Sequence, residues 1–125
     1  MAPDSREPLQ IKEIIVMSQA KSEFTNVTVS RQANVYFDGG VTSRAITFPD
    51  GQVKTLGVML PGDYEFGTQA AEDMDITSGQ LDVLLPGSDA WQSITEPTVF
   101  HVPANSSFQV KVHSVTNYCC SYLDE

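Results

Sequence analysis

Residues 65–87 read EFGTQAAEDMDITSGQLDVLLPG, and this stretch decides the class of fold. It runs through a short strand-like segment, a segment rich in acids, the alternating residues DMDITS, a turn at Gly79 and a further strand-like segment, QLDVLLP. Alternation with a period of two residues, bounded by glycine turns, is typical of half-buried antiparallel strands. The stretch therefore predicts a ligand site in a small β-barrel.

The same rhythm continues on both sides of this stretch. Turn signals recur along the chain at Gly39-Gly40, at PDG (49–51), at PGD (61–63) and at PGSD (86–89), and they separate short apolar or alternating runs. No window has the periodicity of an amphipathic helix longer than two turns. We therefore predict an all-β fold, a single jelly-roll-like β-barrel that covers residues 21–125.

The N-terminal residues do not share this pattern. Residues 1–20 begin with the Pro-rich, charged segment APDSREP and continue into the apolar IKEIIVM (11–17). We predict an N-terminal extension over 1–20 that is partly disordered. We also expect a homodimer, because a small barrel leaves sheet edges that a second copy can cover, and IKEIIVM is a candidate for that contact.

Composition limits the possible partners. The chain has 125 residues and a formal net charge of −9, which disfavours phosphate backbones of nucleic acids and anionic lipid surfaces. No apolar run is long enough to span a bilayer, and we expect a cytoplasmic protein. The two cysteines, Cys119 and Cys120, are adjacent and cannot staple distant segments; we expect one thiol to face the core.

The acidic segment also matches part of a metal-binding pattern. In cupin barrels two histidines precede a glutamate that is followed seven residues later by glycine, and Glu72 and Gly79 have that spacing. The histidine positions fall on Phe66 and Thr68, or on their neighbours if the loop is one residue longer, and the later histidine position falls on Phe108. Because three of four ligands are absent, we predict no bound metal.

Taken together, the residues from Tyr36 to Leu123 resemble one branch of the cupins, the pyrimidine/purine nucleoside phosphorylases. The stretches that carry the resemblance are NVYFDGGVTSR (34–44), TLGVMLPGDYEF (55–66), EDMDITSGQLDVLLPG (72–87), the lone Trp91 with Gln92, FHVPANSSFQVKV (100–112) and YCCSYL (118–123). The resemblance implies a pentosyltransferase without cofactor, which splits purine and pyrimidine nucleosides with inorganic phosphate into free base and α-D-ribose 1-phosphate.

Two other readings stay open at this point. One is a non-catalytic, metal-free cupin that binds a small polar ligand. The other is a metal-dependent cupin oxygenase or isomerase, which the missing histidines argue against. The step from a barrel with a polar and aromatic cavity to phosphorolysis rests on the resemblance, since a fold alone does not specify a reaction.

Phosphorolysis requires donors for phosphate and support for a positively charged sugar. We expect Lys54 and Arg44 to bind phosphate inside the barrel with help from Thr68, although both cations could instead be solvated strand-edge charges. We expect Glu72 to bind the ribose and support the oxocarbenium-like transition state, the alternative being a surface loop acid beside Asp73.

The base requires flat apolar surface. We expect Tyr64, Phe66 and Phe108 to stack on the base, which would permit broad base specificity because every base has a π-face. Each of these aromatic side chains could instead simply fill the core. His101 is a candidate to protonate the leaving base, although a lone strand histidine is more often structural.

Overall fold

The computed structural model describes residues 22–123, and within them the protein is all-β. Eleven strands form two antiparallel sheets, and the described chain contains no α-helix, only a short 3₁₀ turn at Phe37–Gly39. This confirms the predicted all-β class. The predictions for residues 1–20, including a contact through IKEIIVM, lie outside the described residues.

The larger sheet has seven strands in the order β1-β3-β4-β11-β6-β9, with β2 also pairing with β3. The bounds of its strands are β1 Thr28–Val29, β2 Asn34–Tyr36, β3 Val41–Thr47, β4 Val53–Met59, β6 Ala71–Ser78, β9 Thr98–Val102 and β11 Thr116–Leu123.

The smaller sheet has four strands in the order β5-β10-β7-β8. Its strands are β5 Gly62–Gly67, β7 Leu81–Leu84, β8 Gln92–Ile94 and β10 Ser107–Val112. The two sheets share no ladder of hydrogen bonds between described strands, so the predicted barrel takes the form of a β-sandwich.

The stretch quoted above crosses from one sheet to the other. Glu72 and the two aspartates that follow it lie within β6. β6 ends at Ser78, and Gly79 turns the chain into β7 of the smaller sheet with a left-handed φ of 106°. A side chain on Gly79 would collide with Thr116, so both the conformation and the space require glycine.

The core lies between the two sheets and follows the alternation of the strands. On β6, Met74 and Ile76 are buried while Asp73 and Asp75 are half-buried on the other face, as the period-two pattern predicts. The buried apolar residues that pack together are Val41, Met59, Met74, Ile76, Leu81, Val83, Ile94, Phe100, Val102, Phe108, Val110, Val112, Tyr118 and Cys120.

The cysteines lie on opposite faces of β11. Both thiols are free and both residues are buried, but only Cys120 belongs to the core between the sheets. Cys119 lines a groove on the outer face of the larger sheet. The expectation of one thiol in the core is met by Cys120. Residues 22–123 include no helix that is long and apolar enough to cross a membrane.

Candidate active site

A cavity of about 480 Å³ opens between the two sheets. Its volume lies in the range that small-molecule sites usually have. Most of the lining side chains are aromatic, hydroxylated or acidic, and they include no lysine, arginine or histidine among the described residues. The residues that line it are Tyr36, Phe37, Ser43, Thr55, Glu65, Phe66, Gly67, Glu72, Met74, Phe108, Tyr118, Cys120 and Tyr122.

One wall of the cavity is polar and belongs to the larger sheet. Tyr122 pairs with Glu72 across β11 and β6, and Cys120 pairs with Thr55 across β11 and β4. The Thr55 and Tyr122 hydroxyls lie 3.4 Å apart, and the Cys120 thiol hydrogen-bonds to the carboxyl of Glu72. Because alternate residues of adjacent strands face the same side, these polar groups form one row across the sheet.

Burial shifts the pKa values of the titratable side chains on this wall. Desolvation raises the pKa of Glu72, and the hydrogen bond from Cys120 opposes that rise. Burial also raises the pKa of Cys120 to about 12 and that of Tyr122 to about 12. Near neutral pH the thiol and the phenol therefore keep their protons and can act as hydrogen-bond donors, while Glu72 is a carboxyl group held partly away from water.

The opposite wall is aromatic and belongs mainly to the smaller sheet. Phe66 of β5 pairs with Phe108 of β10, and their ring centroids are 5.4 Å apart. Phe37 meets Phe66 edge to face at 5.6 Å and packs against Tyr64 at 5.0 Å. A flat ligand that enters the cavity can therefore stack on this wall while its polar groups reach the other.

Phe37 was missed by the sequence analysis and holds an unusual conformation. Phe37 and Asp38 both have a φ of 53°, and Gly39 follows at 98°, so three consecutive residues are left-handed. A bulky residue rarely adopts this region, and such strain tends to occur at ligand sites. The only sequence signal was the turn composition of FDGG (37–40), which predicts a turn but not the direction of the ring.

The structure brings three of the sequence-predicted residues together. Glu72, Phe66 and Phe108 all line the cavity. Tyr64 packs beside Phe37, but its hydroxyl donates to the Leu60 carbonyl at 2.8 Å and the residue does not line the cavity. The placement of Glu72 on the cavity wall disfavours the alternative of a surface loop acid; its catalytic role stays a prediction.

Thr68 and His101 lie elsewhere. The Thr68 hydroxyl donates to the Pro103 carbonyl at 2.8 Å and accepts from the Ser106 amide at 3.0 Å, so it ties two loops together. His101 lies on the outer face of the larger sheet, with its Nδ1 3.0 Å from the carboxylate of Asp73. Neither residue lines the cavity, and their roles in substrate binding stay predictions.

Lys54 also lies outside the cavity. Since Thr55 faces inward, the preceding residue on β4 faces the outer groove. Its Nζ lies 5.9 Å from the ring of Phe24 and 5.8 Å from that of Phe48, both within the range of a cation–π contact. The expected position inside the barrel is therefore corrected, and the role in phosphate binding stays a prediction.

Arg44 is placed outside by the same alternation. Its neighbour Ser43 is buried and lines the cavity, whereas Arg44 is exposed and its guanidinium donates to the backbone carbonyl of Arg31. The sequence shows that cations are scarce in this chain, but it does not show on which side of the sheet Lys54 and Arg44 lie.

A metal centre finds no support in the described residues. Within 22–123 no group of three or more His, Cys, Asp and Glu side chains could hold a metal ion. At the positions where cupins place histidines, Phe66 and Phe108 supply apolar surface and Thr68 is engaged in loop contacts. The expectation that the protein needs no metal or cofactor stays a prediction.

The chain has relatives in sequence among known proteins. A family profile described as pyrimidine/purine nucleoside phosphorylase matches residues 31–122. A protein of that name from Geotalea uraniireducens is 65% identical over 103 residues, which is 82% of this chain and 99% of that protein. Another of that name from a Sulfurovum species is 66% identical over 101 residues, covering 81% and 98% respectively.

Solved structures support the fold. A protein of unknown function from an Acinetobacter species superposes with a TM-score of 0.78 at 37% identity, covering 81% of this chain and 98% of that one. A cupin-2 domain from Rhodospirillum rubrum superposes with a TM-score of 0.59 at 17% identity, covering 82% and 73%. The second likeness concerns the fold alone, and it confirms the predicted cupin architecture.

Proposed function

The chain belongs to the pyrimidine/purine nucleoside phosphorylase family, and we propose that it cleaves both purine and pyrimidine nucleosides with inorganic phosphate. The family match favours a nucleoside phosphorylase over a non-catalytic cupin that binds a small polar ligand. We also propose that the reaction is a pentosyl transfer, that the enzyme accepts many bases, and that the reaction takes place in the cavity described above. The assignment of the site rests on one observation, a cavity with a polar wall opposite an aromatic wall.

The aromatic wall accommodates the base. Phe37, Phe66 and Phe108 present ring surface to the cavity, and the rings contribute no hydrogen-bonding groups that would select one base edge. Base–aromatic stacking tolerates any base because it depends on the π-face. We therefore propose broad base specificity, with Tyr64 supporting Phe37 from behind.

The polar wall accommodates the sugar. Glu72 lies on this wall, and a carboxylate there can accept hydrogen bonds from ribose hydroxyls and stabilise an oxocarbenium-like sugar. In the reaction a phosphate oxygen bonds to the anomeric carbon while the C–N bond breaks with its electrons on the base. The proton of HPO₄²⁻ ends on the base, so the products are the neutral base and ribose 1-phosphate, and no cofactor is consumed.

Phosphate has to be bound without a cation from the described cavity lining. The Ser43 hydroxyl lines the cavity, and Asn34 donates to its oxygen at 3.2 Å, which leaves the Ser43 proton to donate to a ligand. We propose that the Ser43 hydroxyl donates to phosphate. The alternative is the pair Lys54 and Arg44, which would require the ligand to extend to the outer face.

We further propose a cytoplasmic homodimer. Val29 on β1 and Val99 on β9 lie on the two edges of the larger sheet, and 49% and 57% of their surfaces are exposed. Apolar, unpaired sheet edges favour pairing with a second copy. Light scattering of the purified chain at micromolar concentration is expected to report a dimer, and a monomer would contradict the assembly.

The reaction itself is tested by incubating the protein with uridine or adenosine, with and without inorganic phosphate, and following release of free base. We expect phosphate-dependent release from both nucleosides, with ribose 1-phosphate as the second product.

Glu72→Gln is the matched variant because the amide keeps the shape and removes the charge. It is expected to lower turnover by about a hundredfold or more, the scale of losing an electrostatic contact in the transition state. Binding of nucleoside without turnover would instead indicate a non-catalytic protein.

A further inference from the structure

A chain of hydrogen-bonding side chains crosses the polar wall of the cavity and ends at Glu72. Thr55, Tyr122, Cys120 and Glu72 come from three adjacent strands, β4, β11 and β6, and all four line the cavity. The Thr55 and Tyr122 hydroxyls are 3.4 Å apart. Across β11 and β6, Tyr122 pairs with Glu72 and Cys120 pairs with Met74, so the Cys120 thiol and the Glu72 carboxyl are diagonal neighbours on the inward face of the sheet. From this position the thiol can accept from Tyr122 and donate to Glu72, and these contacts shift the pKa values of the three groups.

The direction of the chain is set by which groups hold protons. Burial keeps the Cys120 thiol protonated by raising its pKa to about 12, so it can donate to the carboxylate. The hydrogen bond from Tyr122 stabilises the sulfur, and the hydrogen bond from the thiol lowers the pKa of Glu72 against the effect of burial. The thiol proton is therefore available to the carboxylate of Glu72.

Glu72 has few other stabilising neighbours. The titratable groups that share its cavity are Tyr118, Cys120 and Tyr122 of β11, Glu65 of β5 and Tyr36 of β2. No cation is among the described lining residues, and on the β9 side the paired residue is the apolar Val102. A carboxylate in this position depends on neutral donors, because no described cation lines the cavity and the second carboxylate, Glu65, opposes its charge.

We propose that Cys120 is a positioning residue for Glu72. Its thiol donates to one carboxylate oxygen and so directs the other oxygen toward the ribose hydroxyls in the cavity. The orientation toward ribose rests on the proposed phosphorylase function, whereas the hydrogen bond between the two side chains does not.

The experiment compares Cys120→Ala and Cys120→Ser, with Cys119→Ala as the control on the same strand but the opposite face. The carboxyl of Glu72 is titrated by NMR in ¹³C-labelled, ligand-free protein, with Glu72→Gln used to assign its signal. Separately, the pH dependence of kcat/KM is measured for uridine with saturating inorganic phosphate.

In Cys120→Ala the titration midpoint of Glu72 is expected to move to higher pH, because a donor to the charged form is lost. On the acid side of the profile kcat/KM is expected to fall by about fivefold, the scale of one hydrogen bond. Cys120→Ser keeps a donor, so its midpoint is expected at or below the wild-type value and its kcat/KM within about twofold. Cys119→Ala is expected to leave both measurements unchanged.

An unchanged midpoint in both Cys120 variants would overturn the proposal, as would equal shifts in Cys120→Ala and Cys119→Ala. If Cys120→Ala fails to fold, the serine variant decides alone, and a midpoint above that of the wild type contradicts the donor role. If the wild-type protein releases no base from nucleosides, the proposed function fails, while the ligand-free titration still decides whether Cys120 acts on Glu72.

Discussion

Phe37 shows at the scale of one residue how the chain places apolar surface at the cavity. Its left-handed backbone (φ 53°) and the two left-handed residues that follow turn the chain between β2 and β3, and the ring lies against Phe66 and Tyr64. A residue held in such a conformation carries strain of about 1–3 kcal/mol that surrounding contacts must offset. Here the surrounding contacts are the aromatic rings of the cavity wall.

Phe37→Ala is expected to raise KM for uridine and for adenosine by about tenfold, the scale of losing one stacking contact with a base. Both nucleosides should be affected alike, since stacking does not distinguish base edges. Val35→Ala is the control, because Val35 is 62% exposed on the same segment and does not line the cavity. A loss confined to one nucleoside would contradict a stacking role.

Ser43 in the cavity and Lys54 in the outer groove allow a direct test of where phosphate binds. Ser43→Ala removes a donor hydroxyl from the cavity and is expected to raise the KM for phosphate by about tenfold, the scale of one lost hydrogen bond to an anion. Lys54→Ala changes the outer groove and is expected to leave that KM within about threefold. The reverse pattern in steady-state kinetics would return the phosphate site to Lys54.

At the scale of the elements, β11 organises the site. It lies between β4 and β6 in the larger sheet and supplies Tyr118, Cys120 and Tyr122 to the cavity. Its partner β4 has Gly57 opposite Tyr118, and the phenol ring packs directly over that glycine while its hydroxyl donates to the Thr42 carbonyl at 3.3 Å. The position of Tyr118 thus depends on a missing side chain in the neighbouring strand.

Gly57→Ala is expected to destabilise the protein by about 2–3 kcal/mol, because an added Cβ collides with the Tyr118 ring and with the backbone oxygen of Thr42. Urea denaturation measures the change. Gly67→Ala is the matched control, since the same methyl group there meets only one atom, at 3.9 Å. Equal destabilisation of the two variants would show that the collision is not the cause.

At the scale of the whole molecule, the buried Cys120 thiol and the Tyr122 phenol, which is 44% exposed but partly desolvated at the cavity, make stability depend on alkaline pH. Cys120 and Tyr122 have ordinary pKa values of 9.0 and 10.0, and burial raises both to about 12 in the folded chain. The folded state therefore keeps protons that the unfolded state loses. Their contribution is fully present below about pH 9 and is lost as pH rises toward 12.

We therefore expect the urea midpoint to fall steadily between about pH 9 and pH 11, with little change attributable to these groups between pH 7 and pH 8. Tyr122→Phe removes one of the titrating groups and is expected to flatten the fall. A midpoint that is independent of pH over the alkaline range, or a fall that is as steep in Tyr122→Phe, would contradict the assignment.

The sequence by itself determined the all-β class, the loss of the metal-binding histidines and the resemblance that the comparisons confirm. These features are local: alternation, turn glycines and motif spacing can be read along the chain without knowing which strands pair. Glu72 could also be predicted to face inward, because Met74 and Ile76 share its side of β6.

Only the tertiary structure decided which polar groups meet in the cavity. The direction of Lys54 and Arg44 depends on the registers of β3 and β4 within the larger sheet, and a shift of one residue reverses every side chain. The contact of Cys120 with Glu72 depends on the pairing of β11 with β6, whose residues are far apart in sequence. Such pairings depend on the packing of the whole sheet, so local patterns along the chain cannot specify them.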